Sequence, residues 1–160
     1  MSTTILEYPN SKLNRPCSKL HPHHDVRGLY KKLCEALPAD GVGISANQIG
    51  ERGRMFVLID EDGTMIPYIN PIIEYLSDTP KVRTVERCLS FPGKEAKIER
   101  LAWIKIKWVD LDFRKHTATF PDVKGIAIQH ELDHLDGITI ADRAVNGITD
   151  IPDGDQDGHK

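Results

Sequence analysis

No stretch of this sequence is apolar for long enough to cross a bilayer. Runs such as the FVLI of Phe56 to Ile59 fall far short of the ~18 residues a membrane-spanning helix requires. Positive charge is not in excess either. The 21 basic against 24 acidic residues leave a net charge of −3, which provides no global field for a phosphate backbone or an anionic membrane, so nucleic-acid and membrane binding are disfavoured. Cysteine is scarce and odd in number. Cys17, Cys34 and Cys88 cannot all pair, and none stands in a Cys-x-x-Cys spacing, which fits a reducing compartment better than a disulfide framework. The N-terminal segment has Glu7 early and no basic stretch followed by an apolar core, so neither a secretory signal nor an arginine-rich transit peptide is read there. A cytoplasmic location is expected. Internal repeats are missing, and 160 residues match one domain on the rough scale of ~100–200 residues.

Within that single domain, residues 1–24 hold three prolines and few apolar positions and read as an extended arm. Val26, Leu29, Tyr30, Leu33 and Leu37 recur at helical spacing between a capping Asp25 and a stopping Pro38, which predicts a helix over 25–37. Cys34, in that stripe, reads as a small buried hydrophobe. The glycine-punctuated DGVGISANQIGERGR then leads into a strand at Met55 to Asp60. Further short strands are expected at 65–70, Ile72 to Leu76, Arg83 to Glu86, Ala96 to Ile98, Trp103 to Val109 and Thr117 to Phe120, with a hairpin-like turn at Asp60 to Gly63. A second helix is predicted over 122–136, capped by Asp122, carrying apolar Ile126, Ile128, Leu132 and Leu135, and ended by Gly137. The fold class is α+β, with a central helix packed against small antiparallel β-sheets. The domain is bounded at 1–143, and the polar, Asp- and Gly-rich 144–160 reads as a flexible tail too poor in apolar surface to order itself.

The second helix holds QHELDH. His130 and His134, four residues apart, share one face and can bind the same divalent metal, while Glu131 beside them can take a proton from an attacking water. With 7 His and 9 Glu in 160 residues, composition alone would produce this five-residue pattern roughly 0.02 times. The competing reading has both histidines decorating a solvated helix face, and the apolar neighbours argue against it. A third ligand is needed. A histidine at position 140 would mark one class of zinc protease, but Ile140 stands there; the glutamate that serves another class is missing, because no Glu follows Glu131. The ligand must come from upstream, where the candidates are Cys88, His116, His21, His23, His24, Glu86, Glu95 and Glu99. Cys88 in ERCLSFPG is favoured, since a thiolate suits borderline and softer metals.

In order and spacing, GVGISANQ at 41–48, ERCLS at 86–90 and QHELDH at 129–134 resemble the three signature segments of peptide deformylases, and the resemblance extends to about Arg143. It implies Cys88, His130 and His134 as metal ligands, with Glu131 as general acid/base. It also implies that Gln48 and the backbone N–H of Leu89 bind the formyl oxygen, a role an uncharged amide and a free N–H suit. By the same resemblance Val42, Ile126 and Ala127 line a pocket for the methionine side chain, and the backbone near Gly43 pairs with the peptide as an added strand. The implied reaction is metal-dependent release of formate from N-formylmethionyl peptides of newly made proteins. One divalent ion is expected, Fe(II) in vivo, with Zn, Ni or Co possible after purification.

Several positions depart from the common pattern. Ser45 and Asn47 stand where alanine and proline are usual, and Arg87 stands where glycine precedes the metal cysteine. By strand alternation Arg87 should point away from the metal, toward solvent or the groove rim. The long helix that often follows the metal helix in bacterial members is missing, which suits a short, viral-type member acting in its bacterial host's cytoplasm and removes the ribosome-docking element; a monomer is expected. Asp153, Asp155, Asp157 and Gly158 imitate the first half of a calcium loop, but the required glutamate never arrives. Two other functions share the metal helix. One is a metallopeptidase that cuts internal amide bonds. The other is a non-catalytic, metal-stapled binding module, with His116 the nearest candidate for a fourth ligand.

Overall fold

The computed structural model describes residues 4–74 and 78–152. Its elements, in chain order, are α1 (Val26–Ala36), β1 (Gly43–Ser45), β2 (Met55–Ile59), β3 (Met65–Glu74), β4 (Lys81–Glu86), β5 (Lys94–Leu101), β6 (Trp103–Val109), β7 (Lys115–Pro121), α2 (Asp122–Leu135), α3 (Ile140–Arg143) and β8 (Thr149–Asp150). One antiparallel sheet runs β1-β2-β3-β6-β7 and a second runs β4-β5-β8, so the class is α+β as the patterning implied. The two short runs expected at 65–70 and from Ile72 join as one strand with a register shift between Ile69 and Ile72. Leu76, the expected end of that run, lies outside the described residues.

Helix α2 is the axis of the packing. Ile128, Leu132 and Leu135 of α2 are buried against Phe56 and Leu58 of β2, Tyr68 of β3, and Ile104 and Ile106 of β6. Each such side chain contributes about 1.5–3 kcal/mol when fully removed from water. Every residue from Ile128 to Leu135 is buried, which explains the weak polar face: a helix enclosed on most sides has no solvated stripe to present. Gly137 ends the helix at φ 77°, and a Cβ there would stand 2.6 Å from the Asn14 carbonyl oxygen, so the close return of the N-terminal arm needs glycine as much as the left-handed turn does.

Asp25 caps α1 as expected, its side chain accepting from the Gly28 N–H. Asp122 does not cap α2. It is the first helical residue, at φ 55°, and Pro121 occupies the cap position without a side-chain bond. Cys34 is half-buried rather than buried, because it lies on the flank of the α1 stripe next to Tyr30.

The segment after Arg143 also differs from expectation where it is described. The Val145 N–H donates to the Lys97 carbonyl, Thr149 and Asp150 pair with Glu95 and Lys94 of β5, and Ile151 is buried with its N–H on the Gly93 carbonyl. The described chain therefore stays packed against β5 through Ile151, past the expected boundary at 143. Composition understated this because two isoleucines in a polar stretch suffice when a sheet edge already stands waiting for them. The calcium-like aspartates 153–157 lie outside the described residues.

Candidate metal and catalytic centre

The second and third motifs meet on one side of α2. Four-residue spacing places His130 and His134 on the same helical face, and the chain leaving β4 brings Cys88 across from them. Cys88 Sγ lies 3.2 Å from His134 Nε2, which lies 3.2 Å from His130 Nε2. All three residues are buried, and the three donor atoms lie within 4.8 Å of one another. One tetrahedral ion with bonds of about 2.0–2.3 Å holds its donors roughly 3.2–3.7 Å apart, so one thiolate and two imidazole nitrogens at these spacings fit a single divalent ion with one position left over. Burial by itself pushes the Cys88 thiol up, but the two imidazoles more than reverse this and hold it well below the ordinary thiol range, as a ligand thiolate requires.

Of the other third-ligand candidates, none joins this cluster. His116 pairs with Asp110 at 2.8 Å and stacks on Trp108. His21, His23 and His24 pack on one another ahead of α1. Glu95 pairs with Arg87 and Glu99 with Lys81. Glu86 comes near the histidines but serves differently: its Oε1 lies 3.0 Å from His130 Nδ1, on the far side of the ring from the cluster. That contact turns Nε2 toward Cys88 and fixes the tautomer. Arg100, buried on β5, forks onto both Glu86 oxygens at 2.8 Å and also reaches Asp133 of α2. Burial would raise the Glu86 carboxyl; the Arg100 guanidinium, followed by His130, instead holds it far below the usual carboxylate range.

Glu131 has no exposed surface, and its Oε1 accepts from the Ser45 hydroxyl at 2.9 Å. Gly43 makes room for it, since a Cβ there would come 3.0 Å from Glu131 Oε2 and 2.5 Å from Leu58. Gln48 is oriented by its neighbours. The Ser45 N–H donates to Gln48 Oε1 at 2.9 Å, which turns the amide nitrogen toward Ser90 Oγ at 3.0 Å and Cys88 Sγ at 3.7 Å. Among the described residues no protein acceptor takes the Leu89 N–H, one residue past Cys88. An uncharged amide and a backbone N–H therefore stand beside the metal cluster, where they could stabilise a developing oxyanion.

Val42, Ile126 and Ala127 line a mostly apolar cavity of about 340 Å³ with Val85, Val123 and His130. Arg87 stands at the rim of that cavity, its charge met by Glu95 at 3.3 Å. Gly43 lies on β1, the edge strand of its sheet, one residue from the cavity wall at Val42. The N-terminal arm supports both motif loops from behind, the Leu6 N–H donating to the Gln48 carbonyl and the Tyr8 N–H to that of Ser90.

Sequence reasoning gave no role to Ser45, noted only as a departure from the common pattern, or to Ser90, Arg100 and Asp133, and it weighed Glu86 only as a ligand. One signal was available for Glu86, because a period of two places it on the same face as Cys88. For Arg100 there was none beyond the alternation of β5, in which Ala96, Ile98 and Arg100 all turn inward.

The comparisons with known proteins agree along most of the chain. A family model described as polypeptide deformylase matches residues 2–148. A peptide deformylase-like protein of Agrobacterium fabrum is 38% identical over 137 residues, spanning 84% of this chain and 82% of that protein. The peptide deformylase of Aquifex aeolicus is 33% identical over 150 residues, spanning 89% and 88%. Among solved structures, the enzyme from the Vibrio parahaemolyticus bacteriophage VP16T, in complex with actinonin, matches with a TM-score of 0.78 and 31% identity, covering 86% of this chain and 99% of that one.

Proposed function

Because the chain belongs to the polypeptide deformylase family, we propose that it hydrolyses the N-formyl group of N-formylmethionyl peptides at the cluster of Cys88, His130 and His134. The observation that carries this reading is the meeting of that buried donor set with Glu131 and Gln48 at the edge of an apolar cavity. Cys88 Sγ and the Nε2 atoms of the two histidines would hold one divalent ion, Fe(II) in the cell, with Zn, Ni or Co as substitutes. When bound, that ion supplies Lewis acidity toward water and the formyl carbonyl.

The remaining work falls to the protein. Glu131 takes the proton from the attacking water and later delivers it to the departing amine nitrogen, a shuttle worth typically ~10²–10⁴ in rate. Gln48 Nε2 and the Leu89 N–H donate to the formyl oxygen as it gains charge. Val42, Ile126 and Ala127 receive the methionine side chain, and the β1 edge at Gly43 pairs with the peptide backbone. A formyl carbon bears only hydrogen, so a narrow, buried site selects it by leaving no room for bulkier acyl groups.

The partners in this reading are nascent formylated chains met near the ribosome, in the cytoplasm, by a monomer. Among the described residues no helix is long and apolar enough to cross a membrane. The test is formate release from a formyl-Met tripeptide by anaerobically purified protein. Cleavage of internal amide bonds without formate would favour a metallopeptidase. Metal binding with no hydrolysis of either kind would favour a metal-stapled module.

A further inference from the structure

The loop that carries Gln48 is tied to the metal helix by two side chains with no role in the mechanism above. Ser45 Oγ lies 2.9 Å from Glu131 Oε1 and 3.1 Å from the Glu131 carbonyl oxygen, with no exposed surface. Two residues on, Asn47 Nδ2 donates to the carbonyl oxygen of His134, and at 3.3 Å to that of Arg15. Ser45 also contributes its backbone, whose N–H holds Gln48 Oε1 at 2.9 Å. A single residue thus touches both the group assigned to proton transfer and the group assigned to the formyl oxygen, through two different atoms.

We propose that Ser45 is a positioning residue for deformylation, its hydroxyl holding the Glu131 carboxylate in register with Gln48, and that Asn47 secures the same loop against α2. A serine hydroxyl has one proton, and of its two acceptors the carboxyl Oε1 is the nearer, at 2.9 Å against 3.1 Å, so the bond is assigned to Glu131 Oε1. Neither alanine at 45 nor proline at 47 could donate either bond. A Glu side chain has three rotatable torsions, and in a buried site a hydrogen bond from a rigid backbone neighbour selects one rotamer where packing alone allows several. The effect should fall on turnover rather than on binding, because neither Ser45 nor Asn47 lines the cavity assigned to the methionine.

The inference rests on the deformylase reading, and the experiment separates the two. Formate release is measured for the wild type, Ser45→Ala, Glu131→Ala and the double variant, with metal content, thermal midpoint and amide exchange of residues 45–48 followed alongside. For Ser45→Ala the expectation is a fall in kcat of about ten-fold with KM within about two-fold, unchanged metal content, and faster exchange in the loop. In the Glu131→Ala background the same substitution should cost less than about two-fold, because the partner it acts through is gone. If the wild type releases no formate, the deformylase reading fails. If the wild type is active and Ser45→Ala is as fast, or if its loss persists undiminished without Glu131, the positioning role is overturned while that reading stands.

Discussion

Glu86 and His130 are joined by a 3.0 Å contact between Oε1 and Nδ1, made on the side of the imidazole that faces away from Cys88. Both residues are buried, and the Arg100 guanidinium neutralises the carboxylate from behind. The arrangement presents a fixed imidazole nitrogen to the site before any ion arrives. Substituting Glu86→Gln should leave the ring held but less basic, lowering metal affinity by about 10–100-fold, as is usual when the partner of a ligand histidine is weakened. Competition with a chromophoric chelator measures this directly. Arg100→Ala should be worse for stability, since it leaves Glu86 and Asp133 without their shared buried cation, at about 3–5 kcal/mol.

The donor set separates from the base in its response to mutation. Cys88→Ala, His130→Ala and His134→Ala should each lose bound metal, whereas Glu131→Gln should keep it and lose activity by ~10²-fold or more. Elemental analysis of each purified variant checks the first half and formate release the second. Stoichiometric metal in Cys88→Ala would remove the cysteine from the donor set.

Ile151 supplies a test of the C-terminal segment. Its side chain is buried and the preceding residues pair with β5, so Ile151→Ala should destabilise the domain by about 2–4 kcal/mol, and deletion from Gly147 onward by at least as much. A drop in the thermal midpoint of several degrees is expected in either case.

Arg87 stands at the cavity rim against Glu95, a partly buried pair worth up to about 1 kcal/mol. Arg87→Gly should therefore leave metal content unchanged and alter turnover on a neutral formyl-Met peptide by no more than several-fold. Abolished metal binding would make Arg87 part of the site's support.

Cys17 should be chemically silent. Burial pushes its thiol up to about 11, so at pH 8 only on the order of one molecule in a thousand carries the reactive thiolate there. Iodoacetamide should leave Cys17 unmodified in the folded protein and label it after unfolding in urea. The sign of the stability effect follows. Between the ordinary thiol range and pH 11 the folded state binds the extra proton, so stability from this group is present at neutral pH and declines as pH rises through that window.

Much of the site was legible in one dimension because its chemistry is local. His130, Glu131 and His134 lie within a single helical turn and a half, where the 3.6-residue period alone determines which side chains share a face. Strand alternation gave Arg87 only an outward direction, toward solvent or the rim, and β4 in fact ends at Glu86, so Arg87 lies in the loop beyond it, beside the cavity and paired with Glu95. Cys88 was favoured over His116 and the glutamates on ligand chemistry and the motif resemblance alone, since its proximity to α2 depends on how the chain leaves β4 of the second sheet. The same holds for the Arg100 fork, whose partners are 14 and 33 positions away along the chain. It holds too for Ser45 on Glu131, 86 positions apart, and for Ile151, whose polar surroundings concealed a sheet edge built from residues nearly sixty positions earlier. Periodicity reports which side of its own element a residue occupies. What stands opposite that side is decided only when the elements pack.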